Sequence, residues 1–132
     1  MKINKKKFIY LISPNKISGQ FYNNLEKVLQ TKKVYFFQLR LKKHSFKEKV
    51  LIGKKIRKIC KRFNVKFLIN DDPILAKKLN ADGCHLGQKD MSIVRARKII
   101  GNKIKALFSE GIFIDIGVPE DYEKANKINL GK

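Results

Sequence analysis

Three short stretches of this sequence carry side chains suited to handling phosphate. Gln38-Leu39-Arg40-Leu41-Lys42 sets an amide and two cations on alternate positions, so that all three project the same way from an extended chain. Asn70-Asp71-Asp72 supplies an amide and carboxylates just before Pro73, and His85-Leu86-Gly87-Gln88-Lys89-Asp90 ends on a further carboxylate. Arginine offers a planar fork of donors and lysine a mobile point charge, a pairing suited to a polyphosphate, while asparagine and aspartate oxygens suit Mg²⁺. Together they outline a pyrophosphate and magnesium site. Each stretch also has a plainer reading: a solvated strand end for Gln-x-Arg-x-Lys, a turn and helix cap for Asn-Asp-Asp-Pro.

The elements between these stretches decide whether they meet. Phe8 to Ile12 is an unbroken apolar and β-favouring run ending at Ser13-Pro14, which predicts a strand buried on both faces. From Gly19, Phe21, Leu25, Val28 and Leu29 recur at helical spacing, and Val34 to Phe37 is again strand-like. Ser45, three residues before Glu48, predicts an N-cap for a long helix whose apolar stripe is Val50, Leu51, Ile52, Ile56 and Ile59, with lysines on the other face. Phe67-Leu68-Ile69 is a third strand, Pro73 opens a helix burying Leu75, Ala76 and Leu79, and Gly83 to Leu86 is a short fourth strand. Ser92 then caps a helix through Ile100 that Gly101 ends.

Strands alternating with helices at this spacing imply a parallel sheet and an α/β class. Periodicity alone leaves a doubly wound sheet and half of an eightfold barrel both open. In either, functional residues gather past the carboxyl ends of strands, where all three polar stretches fall. The adjacent Cys84 and His85 invite a nucleophile or ligand reading. A short buried strand is the more natural place for a small thiol, and alternation sends the two side chains to opposite faces. Gly87 matters as backbone, letting the chain pass close to a ligand.

The 132 residues suffice for one domain with a genuine core. No apolar run approaches the roughly 18 residues of a membrane-spanning helix, and the opening apolar run is too short for a signal peptide, so the expectation is a soluble cytoplasmic protein with its natural start. Cys60 and Cys84 fit reduced thiols. A net charge of +20 raises nucleic-acid binding, but the basic residues are mostly lysines spread along the chain, which reads as a solvated surface and not as a nucleic-acid groove.

The succession of Tyr10-Leu11-Ile12, Gln38-Leu39-Arg40-Leu41-Lys42, Phe67-Leu68-Ile69-Asn70-Asp71 and Ala81-Asp82-Gly83-Cys84-His85-Leu86-Gly87-Gln88-Lys89-Asp90 resembles thiamine phosphate synthase in order and spacing, over about residues 8–104. That family is a phosphate-binding eight-stranded barrel joining hydroxymethylpyrimidine diphosphate to a thiazole phosphate, with magnesium-assisted release of pyrophosphate. The resemblance implies that Gln38, Arg40, Lys42 and Asn70 bind the diphosphate, that Arg40 and Lys42 act in catalysis, and that Asp71 and Asp90 ligate Mg²⁺. Leu41 departs from the family, which usually carries an acidic residue there. A barrel of this kind normally needs roughly 200 residues or more, so the expectation is a partial, half TIM-type barrel.

The remainder, residues 105–132, is expected to be a strand-helix unit of different origin. Phe108 to Tyr122 resembles the closing motif of sugar-phosphate nucleotidyltransferases, in which an aspartate at the position of Asp115 helps hold magnesium. The family's glycine-rich nucleotide-binding start is absent, so nucleotidyl transfer is not expected. An open half-barrel exposes apolar edges, which predicts a homodimer or coverage by this tail. The leading expectation is a thiamine phosphate synthase-like transferase acting on small-molecule substrates, without membrane or nucleic-acid partners. Two alternatives stand beside it: a noncatalytic fragment or anion-binding module, and a thiazole tautomerase-like protein, which has less need of the Gln38, Arg40, Lys42, Asp71 and Asp90 cluster.

Overall fold

The computed structural model describes residues 8–87 and 93–101. The apolar runs form four parallel strands, β1 (Ile9–Ile12), β2 (Val34–Leu39), β3 (Lys66–Asn70) and β4 (Gly83–His85), in one sheet of order β1-β2-β3-β4. The amphipathic stretches form α1 (Gln20–Leu29), α2 (Phe46–Arg62), α3 (Pro73–Lys78) and α4 (Ile93–Ile100). The register pairs Ile12 with Gln38, Gln38 with Leu68, and Asn70 with His85, so the carboxyl ends of β1 to β4 lie side by side.

Strand order separates the two architectures that periodicity left open. Leu25 and Leu29 of α1, Ile56 and Cys60 of α2 and Leu75 and Ala76 of α3 share one core with Phe37, Leu39, Phe67 and Ile69, whereas the buried Leu68 stands outside that cluster. The helices therefore pack on one face of the sheet. Neighbouring strands joined in chain order, with every crossover on one side, build an arc of a barrel; a doubly wound sheet reverses its strand order to cover both faces. The fold is α/β, a part of a β/α barrel.

Local signals work as the residues dictate. Ser45 Oγ accepts from the Glu48 N–H at 3.2 Å while the Ser45 N–H donates to Glu48 Oε2 at 2.8 Å, a complete capping box. Ser45→Ala is expected to cost about 1 kcal/mol, read as a lower urea midpoint at unchanged m-value. Pro73 sits in the first turn of α3, where its missing N–H costs nothing, and Asp72 Oδ1 accepts from the Leu75 N–H at 2.9 Å. Both α2 and α3 end on a left-handed asparagine, Asn64 and Asn80, with Val65 N–H donating to Cys60 O at 2.8 Å and Ala81 N–H to Ala76 O at 3.0 Å. Gly101, at φ +74°, ends α4.

Three expectations need correction. β1 is not buried on both faces: Ile9 is 44% exposed and the rest of the strand is half-buried, because among the described residues it pairs on one edge alone, with β2. Leu51 is exposed because it stands well round the helix from Gly53, Ile56 and Cys60, which carry the buried stripe of α2. Gly53 belongs to that stripe because a Cβ there would run into Leu79, so its absence lets α2 and α3 approach. Val28 is likewise exposed, at the margin of the stripe formed by Leu25 and Leu29. The Ser92 cap and the unit expected from residue 105 onward, Asp115 included, lie outside the described residues.

Candidate functional site

The first half of the site is built where β1 and β2 end. Ser13, buried just past β1, donates its N–H to Gln38 O at 2.9 Å and accepts the Arg40 N–H on its Oγ at 2.8 Å. These bonds clasp Leu39 and fix where Arg40 leaves the strand. Leu39, the last residue of β2, and Leu41 are both in the core, while Gln38 precedes the strand end and Arg40 and Lys42 follow it. Leu41, where an acidic residue is usual in the resembled family, fastens this segment by burial. A second tie joins the loops after β1 and β2, the Ile17 N–H reaching His44 Nε2 at 3.4 Å.

Gln38 is not part of a solvated strand end. It is 2% exposed, and its Nε2 donates to the Tyr10 hydroxyl at 2.8 Å. Burial raises the Tyr10 phenol above its ordinary value, the bond from Gln38 opposing the shift. Arg40 is half-buried and Lys42 exposed, so the three residues grade outward from a fixed amide to a mobile charge. Sequence reasoning missed Tyr10 and Ser13 as parts of this arrangement. A hydroxyl within an otherwise apolar strand, and a serine closing it, were the available signals.

The second half lies at the ends of β3 and β4. Asp71 adopts a left-handed conformation at φ +58°, a region that aspartate tolerates better than most residues. Its N–H donates to His85 O at 2.7 Å, Gly87 N–H donates to its Oδ1 at 3.2 Å, and Asn70 Nδ2 donates to its Oδ2 at 3.0 Å. Gly87 and Asn70 thus orient the carboxylate while it remains exposed, and His85 holds the backbone behind it. Gly87 contributes its backbone N–H to this arrangement. Asp72 is the helix cap of α3, so the cap reading of Asn-Asp-Asp holds for its last residue, while Asn70 and Asp71 stand at the strand end. Gln38 and Arg40 therefore stand at the end of a strand neighbouring the one that presents Asn70 and Asp71, about 4.8 Å away. Asp90 lies outside the described residues.

A family model described as thiamine monophosphate synthase matches residues 9–106. The chain belongs to that family. Among similar proteins, a thiamine-phosphate synthase of Pelagibacter ubique (strain HTCC1062) is 67% identical over 107 residues, covering 79% of this chain and 52% of the relative. One of Streptococcus suis (strain 98HAH33) is 38% identical over 107 residues, covering 79% of this chain and 43% of the relative. The structure of a thiamine phosphate pyrophosphorylase from Pyrococcus furiosus superposes with a TM-score of 0.66 at 25% identity, covering 76% of this chain and 48% of that one. The chain spans about half the length of the curated relatives it matches. As a thiamine monophosphate synthase family member it carries, within the matched residues, the strand ends beside which Gln38, Arg40, Asn70 and Asp71 lie.

Among the described residues, no three His, Cys, Asp or Glu side chains gather around a common point to hold a metal. The donor chemistry of this family member nevertheless fits magnesium: Asp71 presents hard oxygens at an exposed strand end, and Mg²⁺ commonly takes one or two carboxylates and completes its shell with water and substrate phosphate. Neither thiol competes for this role. Cys84 and Cys60 are buried, and burial pushes both up to about 12, which leaves them protonated and poorly nucleophilic.

The raised thiols also set a pH dependence. A thiol pKa raised by folding contributes stability that is whole below the unfolded value and is lost as pH climbs from about 9 towards 12. Between pH 8 and 10 each thiol is expected to remove on the order of 1 kcal/mol. Thermal melts across that range would check it, with Cys60→Ala flattening the slope by about half.

Proposed function

We propose that this chain carries the diphosphate half of a thiamine phosphate synthase site, acting in a transferase that joins hydroxymethylpyrimidine diphosphate to a thiazole phosphate and releases pyrophosphate. The observation that supports it best is the placement of Gln38 and Arg40 beside Asn70 and Asp71 at neighbouring carboxyl ends of a parallel sheet, in a chain of this family. Gln38, held by Tyr10, gives a rigid amide; Arg40, with its backbone fixed by Ser13, gives the planar fork; Lys42 brings a charge able to follow the departing group. As the bond to the pyrimidine lengthens, negative charge grows on the leaving diphosphate, and Arg40 and Lys42 stabilise it where it develops. Asn70 orients Asp71, and Asp71 with Asp90 would hold Mg²⁺, which when bound supplies further positive charge at the diphosphate oxygens.

In this reading the substrates are small molecules and the protein is cytoplasmic, without membrane or nucleic-acid partners; no helix among the described residues is long and apolar enough to cross a membrane. Residues 105–132 are of separate origin from residues 1–104 in this reading. A homodimer covers the sheet edges and face that the helices leave open.

Calorimetric titration of the pyrimidine diphosphate, with and without Mg²⁺ and then with the thiazole phosphate added, tests this. Magnesium-dependent binding followed by thiamine phosphate formation would establish the transferase in this chain. Binding without turnover would restrict it to the half-site. No binding would remove the functional reading and leave membership of the family alone.

A further inference from the structure

A cleft of about 160 Å³ opens at the opposite, amino-terminal end of the sheet, lined by Arg57, Lys61, Asn64, Lys66 and Asp82 among others. Arg57 and Lys61 stand one turn apart on α2 and so share a face. Arg57 Nε donates to Asn80 O at 3.2 Å, which pins the guanidinium in place and spares it the full ordering cost of a free surface arginine. The lone carboxylate is partly spoken for: Asp82 Oδ2 accepts the Phe67 N–H at 2.8 Å as it ties the start of β4 to β3. The carboxyl end of α2 would ordinarily repel an anion, but the Ile59, Cys60 and Lys61 carbonyls are occupied by the N–H groups of Phe63, Val65 and Asn64. Three cations thus face one engaged carboxylate around a cavity of small-anion size.

We propose that this cleft binds a small phosphate-bearing anion, at a site separate from the diphosphate site at the other end of the strands. Arg57 supplies the fork and Lys61 the point charge, with Asn64 and Lys66 completing the polar lining. The inference does not depend on the transferase reading, since none of its residues belongs to that site.

The test is an amide-resolved NMR titration of the whole chain with inorganic phosphate at fixed ionic strength. Saturable shifts at Asn64 and Lys66 are expected, with affinity falling roughly tenfold or more in Arg57→Gln/Lys61→Gln. The control pair Lys47→Gln/Lys54→Gln, which removes the same charge from exposed positions on α2 outside the cleft, is expected to bind as the parent does, as is Asp71→Asn. Lys66→Gln gives a second reading that leaves the Arg57 contact with Asn80 intact, and weaker binding is expected there too. Equal losses in the cleft and control pairs, shifts that never saturate, or shifts confined to residues 38–42 would each overturn the proposal.

Discussion

Phe37→Ala is expected to destabilise the fold by about 3–5 kcal/mol, the range for truncating a buried aromatic. Phe37 is fully buried in β2, its ring 6.5 Å from that of Phe67 in β3 and 6.2 Å from that of Phe21 in α1. It therefore joins the middle of the sheet to the first helix, and no neighbour is free to collapse into the space without leaving contacts of its own. Against the 5–15 kcal/mol typical of a domain, such a loss consumes a large share of the total. Because Gln38 follows directly in the strand, the same substitution should weaken ligand binding through the fold alone. Urea denaturation checks the first claim. A loss below about 1.5 kcal/mol, the level of a volume-conserving swap, would mean that this face is far more malleable than its packing implies.

Local signals made the fold readable. Ser45 with Glu48, Pro73 and Gly101 each mark a boundary through chemistry confined to a few residues, and each boundary falls where those residues predict. Periodicity did not give the class of sheet, because helix spacing is the same whether crossovers use one face or two; the half-barrel expectation came from the family motifs, and the strand order agrees with it. Burial was overestimated where tertiary context was missing. The apolar composition of β1 carries no record of how many partners a strand has, and Leu51 is apolar without facing the core.

The candidate site was legible by residue type but not by environment. Gln38, Arg40, Asn70 and Asp71 could be placed at strand ends by counting. That Gln38 is buried against Tyr10, and that Arg40 is fixed by Ser13, depends on contacts between residues 28 and 27 positions apart. Periodicity within either segment says nothing about such pairs. The left-handed turn at Asp71 is similarly invisible, since an aspartate before Asp-Pro is compatible with several turn conformations.

Asp71→Asn is expected to weaken magnesium-dependent diphosphate binding by about 10–100-fold or more, the loss seen when even indirect supports of a metal are removed. Asparagine is the informative replacement because it tolerates the left-handed backbone at φ +58° and keeps an acceptor for the Gly87 N–H, so the charge is what changes. Asp71→Ala would remove the charge, both side-chain bonds and the backbone preference together. Urea midpoints of the asparagine variant should stay near those of the parent, while calorimetry in Mg²⁺ separates the explanations for any binding. If lysines on a chain of net charge +20 did the work, removing one carboxylate would strengthen binding slightly, and affinity would fall steeply with salt in parent and variant alike. If Asp71 holds the ion that bridges to the diphosphate, the parent loses its affinity when Mg²⁺ is withdrawn and the variant has little left to lose. The two accounts predict opposite signs for one substitution, so unchanged or tighter binding by Asp71→Asn would remove Asp71 from the site.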